Sequence, residues 1–432
     1  MKKNSELKPQ LILEKINSLL LYQSVFENEI GITFKELLQT ICLTKIKDKK
    51  EKNGFDFNCD RAYGKWFKIM AANRLSWQKF LIIQILQDDN PFSQQVQKQT
   101  PDKLNPSLVA AAKHDLKNLQ IVYNCQAATI QNWLENILEK PKNIVTWDVE
   151  NQSDRSFLEV TKNWENSLEE LGNYYREKGT GIFAKYRAFA WQQGELQGID
   201  RPDPIEIESL TGYETQKQAI IKNTEALLQG YRALNVLLYG SRGTGKSSLV
   251  KSLLTKYGDR GLRLIEVSKS ELYNLPQIIE KLREVPQKFI IFVDDLSFEE
   301  DDDKFKALKV ILEGSLIAKP KNMVIYATSN RRHLVREFFG DRPSPAQQEE
   351  IHALDTMQEK LSFSDRFGLS LTFSPPDLET YLNIVRHLAA RAELKIEEEE
   401  LIRGAKQWAM HHNGRSGRTA QQFIDYTIAQ LT

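Results

Sequence analysis

The chain has 432 residues, 41% hydrophobic and 27% charged, and its 59 basic and 58 acidic side chains leave a formal charge of +1. At roughly 150 residues per domain this length implies two or three domains. The near-neutral balance excludes both a disordered polyelectrolyte and a chain that binds nucleic acid through bulk charge. The longest apolar runs, such as Phe80 to Ile83 and Phe289 to Val293, fall far short of the ~18 residues a membrane-spanning helix needs, so no membrane partner is expected.

Glu6, Lys8, Glu14 and Lys15 interrupt any signal-peptide hydrophobic segment, and a cytoplasmic location is expected. Cys42, Cys59 and Cys125 are widely separated and lack His or Cys neighbours at ligand spacing. They are read as buried small hydrophobes rather than a disulfide framework or a zinc site.

From the N-terminus, residues 1–190 read as an all-α domain. Leu13, Ile16 and Leu20, then Leu116, Leu119 and Val122, recur at three- or four-residue intervals. A further helix is expected after Ser76. Asn53-Gly54 and the stretch from Asn90-Pro91 to Asn105-Pro106 are read as loops. Residues 191–209, rich in glycine and proline between Gly194 and Pro204, are read as a linker.

Beyond it the texture changes. Val236 to Tyr239, Leu264 to Val267, Phe289 to Val293 and Val324 to Ala327 are short apolar runs separated by helical patterns. Strands covered on both faces and alternating with helices predict a parallel sheet. Leu369 to Phe373 alternates as a half-exposed fifth strand would, and Pro375-Pro376 closes the sheet domain, taken as 210–374. Residues 375–432 carry three helical patterns and are read as a lid.

The first strand runs directly into Gly240-Ser241-Arg242-Gly243-Thr244-Gly245-Lys246-Ser247, which matches the phosphate-binding pattern G-x-x-x-x-G-K-[ST]. Its glycines let the backbone curl so that N–H groups point at phosphates. Lys246 reaches the terminal phosphates and the Ser247 hydroxyl can ligate magnesium. Ser248 begins a helix whose N-terminal partial charge favours an anion. Leu249, Val250, Leu253, Leu254 and Tyr257 form its buried face.

Phe289 to Val293 then ends in Asp294-Asp295, at the strand edge where open parallel sheets bind ligands. Asp294 is expected to hold magnesium and Asp295 to polarise the attacking water.

These residues resemble an AAA+ ATPase. The resemblance implies a P-loop domain with a five-stranded parallel sheet and a helical C-terminal lid, binding ATP and Mg2+, in a homo-oligomer. Asn330, closing Ala327-Thr328-Ser329-Asn330, falls where the family places a polar sensor. Arg366, in Ser364-Asp365-Arg366-Phe367-Gly368, falls in its arginine-finger region. Arg418, in Gly414-Arg415-Ser416-Gly417-Arg418, falls where a second sensor arginine sits, and Tyr213 where the adenine is bracketed.

More narrowly, Leu210 to about Ala390 closely resembles a bacterial AAA+ family described as a domain of unknown function. The strings that carry this are Tyr239 to Ser248, Asp294 to Glu299, Tyr326 to Leu334 and Ser364 to Leu369. The second carboxylate, Asp295, departs from the glutamate of most AAA+ members, which implies slow or assembly-stimulated hydrolysis. ATP is preferred over GTP because no guanine-specific Asn-Lys-x-Asp string is present.

The expected activity is ATP hydrolysis that remodels or loads a macromolecular client, protein or DNA, through the N-terminal domain. The alternative is an ATP-dependent switch with little turnover. The stretch from Lys45 to Lys79 holds ten basic and four acidic residues interleaved with aromatics. It reads either as a single-strand stacking surface or as a helical core with a basic solvent face.

Overall fold

A computed structural model of the chain describes residues 7–46, 52–138, 144–147, 149, 155–297, 308–309, 311–312, 320–330, 366–412 and 414–431. It divides into two compact units, Met1–Lys185 and Tyr186–Thr432.

The described part of the first unit is helical. Its main helices are α1 (Pro9–Asn17), α2 (Glu29–Ile46), α3 (Lys52–Asn73), α4 (Trp77–Gln87), α5 (Pro91–Val96), α6 (Pro106–Tyr123), α7 (Ala127–Leu138) and α8 (Leu168–Lys178). Polar caps set the starts of α4 and α5. The Ser76 side chain accepts from the Lys79 amide at 3.2 Å, and Asn90 and Ser93 form a capping box around Pro91.

Leu116, Leu119 and Val122 are buried as their spacing predicts. Three expectations fail here. Leu20 lies beyond the end of α1 and is 60% exposed, Asn53-Gly54 belongs to α3, and the supposed loop after Asn90 contains α5. Asparagine and glycine are weak local breakers, and packing overrides them.

Two aromatics of the basic stretch, Trp66 and Trp77, belong to the core. Trp66 and Trp77 are buried and meet edge to face at 6.1 Å, with Phe34 4.0 Å from Trp77. Phe67 packs edge-on against Trp147, and the Tyr63 hydroxyl donates to the Val145 carbonyl oxygen at 2.7 Å. These rings are occupied in packing, which favours the solvent-face reading of the lysines. One of them, Lys65, pairs with Glu36 at 2.8 Å.

The second unit is built on a seven-stranded sheet rather than five. Its strands are β1 (Ala188–Gln192), β2 (Glu195–Ile199), β3 (Val236–Gly240), β4 (Leu262–Glu266), β5 (Lys288–Val293), β6 (Met323–Ser329) and β7 (Leu369–Phe373), in the order β2-β1-β4-β5-β6-β3-β7. All pairs are parallel except the β1–β2 hairpin. The five expected strands are all present, and the hairpin extends the β4 edge.

The first part of 191–209, up to Ile199, is therefore a sheet hairpin rather than linker. The hairpin turns at Gln193 (φ 53°) and Gly194 (φ 82°), two consecutive left-handed residues as a tight two-residue turn requires. Gln-Gly is a weaker signal for such a turn than Asn-Gly, which hides the hairpin in the sequence.

β3 lies between β6 and β7, and β6 separates it from β5, so the C-terminal ends of β3, β6 and β5 stand side by side. Val236, Leu237 and Leu238 of β3 are fully buried, as are Phe289 to Val293 of β5. Among the described residues β7 pairs only with β3, and its alternating burial fits an edge strand. Helices α9 (Glu214–Leu228), α10 (Lys246–Tyr257) and α11 (Leu275–Leu282) accompany the strands.

Three helices close the chain: α12 (Leu378–Arg391), α13 (Glu398–His411) and α14 (Gly417–Leu431). Tyr381, Val385, Ala405, Ala420, Phe423 and Ile424 form their common core. On the last of them, Ile428 is 39% exposed, and Thr427 takes the inward position.

Candidate functional site

β3 delivers the chain into the phosphate-binding loop at Gly240, whose φ is 136°. A Cβ there would stand 2.0 Å from the Phe373 carbonyl oxygen of β7, so no other residue fits. The Ser241 amide donates to that same oxygen at 3.0 Å, and the Thr244 hydroxyl closes the loop onto the Ser241 carbonyl at 2.9 Å. Gly243, at φ 75°, faces the lid: an added Cβ would lie 2.8 Å from Ser416 Oγ.

Gly245 precedes α10, which starts at Lys246 and buries Leu249, Val250, Leu253, Leu254 and Tyr257 as expected. Lys246 is buried, and its ammonium donates to the carbonyl oxygens of Gly240 (2.9 Å) and Ser241 (2.7 Å). Burial holds that ammonium below the usual lysine range, and the charges of Asp294 and Asp295 oppose the effect.

Across the loop, at the end of β5, the Ser247 hydroxyl donates to Asp294 Oδ1 at 2.6 Å. The Thr328 hydroxyl, from the neighbouring strand β6, donates to the same oxygen. Asn330 Nδ2 donates to Asp295 Oδ1 at 2.6 Å. Ser247, Asp294, Asp295 and Asn330, all candidates on sequence grounds, thus converge at the ends of β3, β5 and β6. Thr328 joins them without having been a candidate. Its only signal in the sequence is its place at the end of a buried strand, two residues before Asn330.

The loop and the carboxylates line one side of a cavity of about 650 Å³, to which Arg242 and Ser248 also contribute. That volume accommodates a nucleotide. The far side comes from the lid and from the segment before α9. Ile384 and Leu388 of α12 line it together with Leu210 and Tyr213, and Arg418 lies at the start of α14.

Tyr213 sits in the left-handed region (φ 61°), with its ring 5.0 Å from Phe373 and its hydroxyl donating to the Ser374 carbonyl oxygen at 2.5 Å. Arg366, three residues before β7, is not among the described residues that line the cavity. Arg331 to His333, which follow Asn330, and the acidic run from Glu299 to Asp303 lie outside the described residues.

Magnesium seeks hard oxygen ligands. The Ser247 hydroxyl and the Asp294 carboxylate, 2.6 Å apart beside the cavity, supply them. The residues present therefore fit the cation that a triphosphate carries.

A family model described as "Protein of unknown function (DUF815)" matches residues 184–431, more than half of the chain. The chain belongs to the DUF815 family. The matched region of this DUF815 protein begins just before β1 and runs through the lid, so it includes the hairpin.

Among solved structures, the chain is similar to a point mutant of Thermotoga maritima RuvB at 16% identity and a TM-score of 0.36. That match covers 51% of this chain and 64% of the other, so the chain spans less than two thirds of that protein. It is also similar to the Thermotoga maritima RuvB Holliday junction branch migration motor, at 14% identity and a TM-score of 0.31, over 52% of this chain and 72% of that one. No curated protein matches the chain.

Proposed function

We propose that this DUF815 protein is an ATPase of the AAA+ type that holds ATP with magnesium between the parallel sheet and the lid. The observation that carries the reading is the linked set of Ser247, Asp294, Asp295 and Asn330 facing the loop that ends at Lys246. A phosphate-binding motif alone is compatible with many activities. A carboxylate tied to it at hydrogen-bonding distance, with a second carboxylate beside it, is what phosphoryl chemistry needs.

In this reading the backbone of residues Arg242 to Ser248 cradles the phosphates and Lys246 turns its ammonium to the terminal oxygens. Ser247 and Asp294 hold magnesium, which neutralises charge developing on the phosphates. Asp295, oriented by Asn330, accepts a proton from the attacking water. Tyr213 and Leu210 border the base, and Arg418 adds positive charge from the lid side.

Arg366, outside its own cavity, is assigned to the nucleotide of a neighbouring subunit, and the active form is a homo-oligomer. In other phosphoryl-transfer systems such an arginine contributes ~10³ to 10⁵ in rate. The helical unit of residues 1–185 engages a macromolecular client, and a protein suits its packed aromatics better than single-stranded DNA does.

The test is ATP turnover as a function of protein concentration for wild type and Arg366→Ala, with and without single-stranded DNA. Turnover that climbs with concentration in wild type alone is the expected result. Tight ATP binding with no turnover at any concentration would replace the enzyme by an ATP-dependent switch. Stimulation by DNA would make DNA the client.

A further inference from the structure

Thr328 is 2% exposed and sits near the end of β6, directly opposite Leu238 of β3. Its side chain is used in both directions. The hydroxyl proton goes to Asp294 Oδ1, and the oxygen accepts the Asp295 amide at 3.0 Å. Its main chain adds a third tie, since the Leu296 amide donates to the Thr328 carbonyl oxygen at 2.7 Å.

One threonine therefore clasps three consecutive residues where β5 ends. That clasp fixes a tight turn: Asp295 has φ 50°, in the left-handed region that few side-chain-bearing residues other than Asn and Asp adopt. Two hydroxyls, from Ser247 and Thr328, converge on one oxygen of Asp294. With the Asp295 amide also donating to that oxygen at 3.1 Å, the carboxylate is held against rotation.

We propose that Thr328 is the positioning residue that presents Asp294 to magnesium and sets the turn on which Asp295 stands. The assignment rests on the nucleotide reading above and deepens it. It divides labour between two residues of β6 and its exit: Thr328 orients the metal-holding carboxylate, and Asn330 orients the neighbouring one. Groups that orient a metal ligand typically govern metal affinity by about 10–100-fold.

The experiment measures binding of a non-hydrolysable ATP analogue by calorimetry, in EDTA and across a magnesium titration, for wild type, Thr328→Val and Thr328→Ser. Valine keeps the shape and removes the hydroxyl; serine restores it. Expected in Thr328→Val is unchanged affinity in EDTA, because the phosphate loop is intact, with the half-saturating magnesium concentration raised about 10–100-fold. Thr328→Ser should return close to wild type.

Wild-type magnesium dependence in Thr328→Val overturns the positioning role alone. So does equal loss of affinity with and without metal, which marks a merely structural residue, or a serine variant as impaired as the valine one. Failure of the wild type to bind the analogue at all overturns the nucleotide reading and this role with it.

Discussion

The backbone amide of Arg418 donates to the carbonyl oxygen of Gly243 across 3.3 Å. The lid thus meets the phosphate loop through main chain, at the glycine with no side chain to hold them apart. If the loop binds phosphate, any movement of its apex reaches α14 through this bond, and the reverse holds by linkage.

Gly243→Ala tests this contact. The new methyl would meet Ser416 Oγ at 2.8 Å on a residue held at φ 75°, a conformation costing alanine about 1–2 kcal/mol. The expected outcome is weaker ATP binding and faster hydrogen exchange at the Arg418 amide, with exchange in β5 unchanged. Wild-type exchange at Arg418 would show that the lid does not lean on this glycine.

Lys246→Ala should lose nucleotide affinity while keeping the sheet. A hydrogen bond from a charged donor is worth about 1.5–3 kcal/mol, so affinity falls roughly tenfold to a hundredfold. Calorimetry with ATP and magnesium reads the loss, and circular dichroism checks that the fold persists. Retained affinity would remove Lys246 from the site.

Asp295→Asn should bind ATP as wild type does and lose turnover by about 10² to 10⁴, the usual contribution of a general base. Asn330→Ala removes only the 2.6 Å bond that orients Asp295, and its loss should be smaller, roughly tenfold to a hundredfold. Equal losses in both variants would mean that Asn330 does more than orient its neighbour.

A pH dependence is expected in the helical unit. Asp88 is buried and accepts from the Ser24 hydroxyl and from Asn90 Nδ2 at 2.7 Å. Burial raises its carboxyl from 3.8 to about 6, against the pull of those two donors. A carboxyl that is raised on folding binds more protons in the native state. Stability is therefore full below the unfolded pKa near 4 and is lost as pH rises to about 6, by about 3 kcal/mol.

Asp88→Asn should flatten that slope and raise stability at pH 7. Its amide can donate to the Ser24 hydroxyl and its oxygen can accept from Asn90. Denaturant unfolding at pH 4 and pH 7 checks it, and an unchanged slope would sink the assignment.

The sequence by itself determined the five parallel strands and the phosphate loop. Runs such as Phe289 to Val293 have no polar face, so they must be covered on both sides. The loop is legible in the spacing of Gly240, Gly245, Lys246 and Ser247 directly after an apolar run. Such signals are local: they are written in the period of apolar residues and in the steric freedom of single positions.

What only the tertiary structure decided is which residues meet across strands and between elements. Thr328 is silent in the sequence, since a threonine ending a buried strand is ordinary; it acquires a role because β6 lies beside β5 in one particular register. Trp66 and Trp77 look equally suited to stacking bases or filling a core, and the packing of α2, α3 and α4 settles them inside. The β1–β2 hairpin joins the sheet by pairing with β4, some seventy-five residues away in the chain, a contact that no local pattern signals.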